Sequence, residues 1–207
     1  MLSQQIFVQL FFSVFLLRFF VTFKDDFSSF CEIHLLKRKS EVPEAFMKYN
    51  AKMKAETGRE TKILRSDGGG EYCSKDFENL LAKAGISHQV TPPYTPQLNG
   101  VAERTNRTVI ESARSQMYGK KVPLELWGLA VLCAAYVQNR VISSTGKVTP
   151  FELWHGKEPD VSHLRTFGSP AFTHIPDEKG RKLDPKATEG SWWDMAIHPE
   201  CTRYGIR

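Results

Sequence analysis

The sequence has no closely spaced cysteine pair. Its four cysteines, Cys31, Cys73, Cys133 and Cys201, stand far apart, and no His-x₃₋₅-His set accompanies them. That argues against a structural zinc site. A disulfide framework is equally out of place in a chain of 207 residues with ample apolar side chains, so a reducing compartment fits best. The first 17 residues contain no Asp, Glu, Gly or Pro. From Ile6 to Phe23 the chain is almost all apolar, long enough for a spanning helix of about 18 residues. Gln9 and Arg18 interrupt the run, and no basic residue precedes it as a signal peptide requires. Its rear part, Arg18 to Lys24, also reads as a buried strand, so a membrane span is the weaker reading. Internal repeats are absent too.

What is present has a globular composition, with 41% hydrophobic and 25% charged residues, and a length suited to one domain. A net charge of +5 leans towards a polyanionic partner. Phe19 to Phe23 and Phe30 to Leu36 read as two strands joined by a turn at Lys24-Asp25-Asp26. Ser40 is the expected N-cap of a helix with an apolar stripe of Ala45, Phe46, Tyr49 and Met53, ended by Gly58. Thr61 to Ser66 reads as a third strand. A helix capped by Ser74 and stopped by Gly85 follows, then a strand from Ile86 to Val90. Thr91 to Asn99 reads as a Pro-rich loop, Gly100 to Tyr118 as a long helix, and Pro123 to Val141 as another. Arg165 to Ile175 carries a further short strand. Strands linked by helices imply a mixed sheet covered on its faces.

Asp67 and Glu103 are the candidate catalytic and metal-binding residues, with 35 residues between them. Asp67 ends a short apolar strand and is followed by three glycines, which allow close backbone approach to a ligand. Glu103 stands where the Pro-rich loop becomes a helix that Asn99 is placed to cap. Mg²⁺ favours one or two carboxylates plus substrate phosphates, and two such ions clamp the attacking and leaving oxygens of a phosphoryl transfer. Alone, Asp67 reads more simply as a turn aspartate and Glu103 as helix-start chemistry. After Glu103 the chain is basic: Arg104, Arg107, Arg114, Lys120 and Lys121 form a candidate row of phosphate contacts. The alternative is a solvated face in which Arg107 pairs with Glu103 or Glu111. Trp127, Trp154 and Cys133 read as packed side chains, and His88 and His163 as surface or satisfied ones.

Together, RFFVTFKDDFSSFCEIHLLKRKSEV, ILRSDGGGEYCSKDFENLLAKAGISHQVTPPYTPQLNGVAERTNRTVIESARSQM, PLELWGLAVLCAAYVQNR and TPFELWHGKEPDVSHLRTFGSPAF resemble the integrase of Ty1/copia-type LTR retrotransposons. The resemblance runs from about Arg18 to Gly190. It implies an RNase H-like α/β fold, a mixed sheet flanked by helices. It implies metal-dependent polynucleotidyl transfer with Mg²⁺ or Mn²⁺, DNA ends and target DNA as partners, and a homo-oligomer. By resemblance Asp67 is the second acid of a D,D-35-E triad and Glu103 the third, while Asn99 and Arg107 contact the DNA end.

The first acid of the triad belongs on a strand before Phe19, in an Asp-Val-x-Gly-Pro type motif that the sequence does not contain. Asp25 and Asp26 match a structural motif at the next strand's end instead. The expected organisation is therefore an apolar non-family segment over 1–17, a partial integrase core over 18–142 and a post-core extension with a divergent tail over 143–207. The first strand is lacking or replaced. The chain reads as a truncated, degenerate integrase core, nuclear or cytoplasmic if expressed. Two alternatives are a non-catalytic nucleic-acid-binding remnant and a membrane-anchored protein.

Overall fold

A computed structural model describes residues 17–70, 72–91, 96–142, 146–174 and 186–191. Strands β1 (Phe19–Lys24) and β2 (Cys31–Leu36) form an antiparallel hairpin in which Phe19 faces Leu36 and Lys24 faces Cys31. Asp25 builds its turn. One carboxylate oxygen accepts from both the Ser28 amide and the Ser28 hydroxyl, each at 2.7 Å, and Ser29 takes a left-handed φ of 59°. The rear of the apolar N-terminal run is thus a strand, as its composition implies. Among the described residues no helix is long and apolar enough to cross a membrane.

Helix α1 (Val42–Thr57) follows a short 3₁₀ turn at Lys39–Glu41. Ser40 does not cap it. The 3₁₀ turn takes up that position, and the Glu41 carboxylate turns back to accept from the Lys37 amide at 3.0 Å. Gly58, with φ 67°, ends the helix by donating to the Lys54 carbonyl. Strand β3 (Ile63–Ser66), helix α2 (Lys75–Lys83) and strand β4 (Ser87–Val90) make a crossover unit with parallel strands, Ile63 beside Ser87. Ser74 caps α2, its hydroxyl accepting from the Phe77 amide at 3.3 Å.

Helix α3 runs from Pro96 to Gly119 and begins four residues before the expected start. A proline tolerates the first helical position because its missing N–H has no partner there anyway, so the third proline of the loop opens the helix. Helix α4 (Trp127–Gln138) starts after a 3₁₀ turn at Leu124–Leu126 and stops three residues short of Val141. Short helix α5 (Pro150–His155) is capped by Thr149, and strands β5 (Pro170–His174) and β6 (Ala187–Ser191) pair antiparallel.

The β1–β2 hairpin lies between two apolar clusters. On one side Val21, Phe23 and Leu36 meet α1 (Phe46, Tyr49, Met53) and Phe77, Leu81 and Ile86. Phe23 stacks on Tyr49 at 4.8 Å, and Phe46 meets Phe77 edge-on at 5.9 Å. On the other side Cys31 and Ile33 meet α3 (Val109, Ala113, Met117), α4 (Ala130, Val131, Ala134, Ala135) and Phe167. Leu64 of β3 packs on the first cluster. Among the described residues the strands form three two-stranded sheets, and no ladder joins β1 to β3. The mixed sheet expected from the sequence is thus present as separate pairs, of which β1–β2 and β3–β4 share one core with α1. A strand bonded to both β1 and β3 would unite them, and none occurs among the described residues.

Candidate functional site

Asp67 follows β3 directly, and the residue before it is held firmly. The Ser66 carbonyl accepts from the Thr91 amide at 2.9 Å and the Thr91 hydroxyl at 2.6 Å, while the Ser66 hydroxyl lies 2.8 Å from His88 Nε2. The Asp67 side chain is exposed, and Oδ1 accepts from the Gly69 amide at 3.2 Å. This is the turn geometry that the simpler sequence reading allows, and it leaves Oδ2 open. Neither Gly68 nor Gly70 has a positive φ, and a side chain at Gly70 would meet nothing within 4 Å. Those glycines therefore leave space beside Asp67 rather than satisfy a backbone strain.

Glu103 lies in the second turn of α3. Because the helix starts at Pro96, Asn99 is inside it and is not its cap; the Asn99 side chain lies outside the described residues. Thr105, Val109, Ala113 and Met117 form the buried stripe of α3. At 3.6 residues per turn, Glu103 points about 160° away from Thr105, and Arg107 and Arg114 fall within about 40° of Glu103. All three are exposed. No ion pair among the described residues links Arg107 to Glu103 or Glu111, although their exposure is also that of a solvated face. Arg104 stands on a different side, its guanidinium folded over Gly100. Lys120 and Lys121 follow the helix end and are exposed, Lys121 with φ 52°.

Two contacts missed in the sequence tie these segments to one end of the hairpin. Lys24 Nζ donates to Thr105 Oγ1 at 2.9 Å, and Thr105 Oγ1 in turn donates to the Val101 carbonyl. Arg65 Nη1 lies 3.8 Å from Asp26 Oδ2. Thr105 is two residues from Glu103, Arg65 is two residues from Asp67, and Lys24 and Asp26 are themselves two residues apart. A lysine at the end of an apolar strand is the one signal that could have found the first contact; the second is an exposed pair with no sequence signature. Among the described residues no group of three His, Cys, Asp or Glu side chains gathers at metal-binding reach. The buried Cys31 thiol is pushed up to about 11 by desolvation, which keeps it protonated and a poor metal ligand at neutral pH.

The integrase core domain family matches residues 17–96, a span that includes Asp67 and stops before Glu103. The "Retrovirus-related Pol polyprotein from transposon TNT 1-94" of Nicotiana tabacum is 46% identical over 171 residues, 82% of this chain and 13% of that protein. That from transposon RE1 of Arabidopsis thaliana is 29% identical over 83% of this chain and 12% of its own length. The "Transposon Ty1-LR3 Gag-Pol polyprotein" of Saccharomyces cerevisiae is 27% identical over 90% of this chain and 10% of its own length. The chain thus spans about an eighth or less of these curated relatives. Among solved structures, a simian T-cell lymphotropic virus intasome in complex with PP2A regulatory subunit B56 gamma matches with a TM-score of 0.55 and 21% identity. That match covers 83% of this chain and 60% of the other. The catalytic core domain of BIV integrase matches with a TM-score of 0.50 and 23% identity, over 65% of this chain and 84% of that one. Both likenesses concern the fold, which is that of retroviral integrase catalytic cores.

Proposed function

We propose, for a chain that carries an integrase core domain of the kind found in Ty1/copia-type Pol polyproteins, that it binds DNA and one Mg²⁺ or Mn²⁺ through Asp67 and Glu103, with strand transfer impaired. The observation that carries this reading is the pair of anchors at the hairpin end, Lys24 to Thr105 and Asp26 to Arg65. Each ties a segment two residues from one of the two acids to the same end of the hairpin. Both carboxylates are exposed, and neither takes part in an ion pair among the described residues.

The donor set fits one hard divalent ion, for which one or two carboxylates plus substrate phosphates suffice. When bound, such an ion polarises a phosphoryl oxygen and stabilises the charge of the transition state. Asp67 and Glu103 supply the protein ligands. Arg107 and Arg114, on the Glu103 face of α3, hold the DNA backbone beside them, and Arg104, Lys120 and Lys121 extend the positive field. Two carboxylates are few for a two-ion clamp, and Met1 to Leu17 contain no acid to add. Transition-state stabilisation rests on such preorganised charge, so its loss lowers strand transfer far more than DNA binding. DNA ends and target DNA are the proposed partners, and a homo-oligomer the proposed assembly.

The test is strand transfer on a short duplex with Mg²⁺, run beside DNA binding at several salt concentrations. The reading expects binding that weakens steeply with salt and joining that stays near background until an aspartate-bearing strand is restored upstream. Robust joining by the chain as it stands contradicts the impairment. Salt-dependent binding that no divalent ion alters favours the non-catalytic remnant instead.

A further inference from the structure

Tyr118, on the last turn of α3, is 72% exposed, and no ring stacks on it among the described residues. Its surroundings are basic. Arg114 lies one turn earlier, about 6 Å along the helix and about 40° around it, and Lys120 and Lys121 follow at the helix end. All three cations are exposed, and none has a carboxylate partner among the described residues. From Arg104 to Glu125 the chain carries five cations against two acids, Glu111 and Glu125. Two other rings are as widely exposed, and both stand beside acids. Phe27 follows Asp25 and Asp26, and Phe172 faces Glu189 across β5–β6.

The helix end is held from beneath. The Lys121 amide donates to the Tyr118 carbonyl at 3.4 Å and the Val122 amide to the Met117 carbonyl at 2.9 Å, the bond pair that closes a helix around a left-handed residue. That residue is Lys121, a charged side chain where glycine is usual, held there at some cost in strain. Met117, Val122 and Phe167 are buried together under the turn. A fixed, exposed ring among cations that lack carboxylates suits a strand whose bases are free. The ring stacks on one base face, and the cations hold the phosphates on either side. We propose that the C-terminal end of α3 is a binding site for an unpaired nucleic-acid strand, with Tyr118 stacking on a base and Arg114, Lys120 and Lys121 holding the flanking phosphates. The site rests on the reading that α3 holds nucleic-acid phosphates. It lies about 22 Å along α3 from Glu103 and needs no metal.

Fluorescence anisotropy of the full chain in EDTA tests it, with a blunt duplex, the same duplex bearing an unpaired tail of about six nucleotides, and that tail made abasic. The two tails carry equal charge and differ only in their bases. The base-bearing tail is expected to bind tighter than the abasic one by about fivefold or more at each salt concentration. Y118A is expected to remove that difference, and Y118W to keep it. R114Q is expected to weaken both tails and to reduce the salt dependence. Equal binding of the two tails, or a difference that Y118A leaves intact, overturns the proposal. If the blunt duplex still binds in a salt-dependent way, the broader DNA-binding reading stands; binding of no probe overturns both. Self-association that Y118A abolishes, with equal binding of the tails, would assign the patch to a second copy of the chain. The comparison of tails uses the unaltered chain, so it decides even where a variant fails to fold.

Discussion

The ammonium of Lys24, at the end of β1, donates to the hydroxyl of Thr105 on α3 at 2.9 Å. Thr105 is only 4% exposed, so the bond forms where water has little access. It fixes the N-terminal part of α3 against the hairpin, with Glu103 on the far, exposed side of the helix.

Replacing Thr105 by Val keeps the volume and removes the acceptor. A hydrogen bond to a charged group contributes about 1.5–3 kcal/mol, so T105V is expected to lose stability in that range by urea denaturation. Affinity for a divalent cation is expected to fall with it, because the helix segment that carries Glu103 loses its anchor. Unchanged stability and cation affinity would show that Lys24 does not position this helix.

Asn139 acts as a substitute strand partner. Its Oδ1 accepts from the Cys31 amide at 2.9 Å and its Nδ2 donates to the Cys31 carbonyl at 2.7 Å, closing the outer edge of β2 at that residue. Both backbone groups are buried, and leaving one unsatisfied costs about 1–3 kcal/mol. N139A is expected to lower stability by about 2–4 kcal/mol on that basis. A loss below about 0.5 kcal/mol, the range of neutral surface changes, contradicts the assignment.

Gly168 has φ 79°, and a Cβ there would lie 2.7 Å from both Lys120 Cβ and Val122 Cγ2. Neither atom is the far end of a flexible chain. G168A therefore strains the backbone and pushes apart the turn on which Phe167 is buried. The expected loss is about 2 kcal/mol or more, read as a fall in Tm. An unchanged Tm would mean that residues 167–168 do not pack on the end of α3.

Glu32 is held below its ordinary carboxylate value. Burial works against this, but bonds to His34 and Lys52 outweigh it. A depressed carboxylate stabilises the fold above its unfolded value and loses that contribution as pH falls through the folded one. Stability is thus expected to decline as pH drops below about 4.5, and E32Q to flatten that part of the profile. An identical acid limb in E32Q refutes the role. His155 contributes with the same sign, from a different cause and at higher pH. Burial lowers its value, so its neutral form is favoured by folding and its contribution fades as pH falls through the ordinary histidine range.

Local chemistry explains what the sequence made legible. The hairpin, the Ser74 cap and the Gly58 stop depend on residues within a few positions, and each formed as expected. Ser40 and Pro96 failed for local reasons as well: a 3₁₀ turn displaced the first, and the second opened a helix where three prolines had read as loop. What stayed hidden is long-range. Asn139 meets Cys31 across 108 positions and Lys24 meets Thr105 across 81, and no periodicity announces either. Asp67 and Glu103 stood out through their neighbours, whereas the separate pairing of β1–β2 and β3–β4, with no strand among the described residues bonded to both, has no local signature.

The central claim is that Asp67 and Glu103 hold one cation together. Mn²⁺ titration followed by electron paramagnetic resonance, on the unaltered chain, D67N, E103Q and the double variant, tests it most directly. If the two acids share an ion, either single variant should weaken binding nearly as much as the double. Independent and additive losses, or Mn²⁺ affinity that neither substitution changes, would contradict the account.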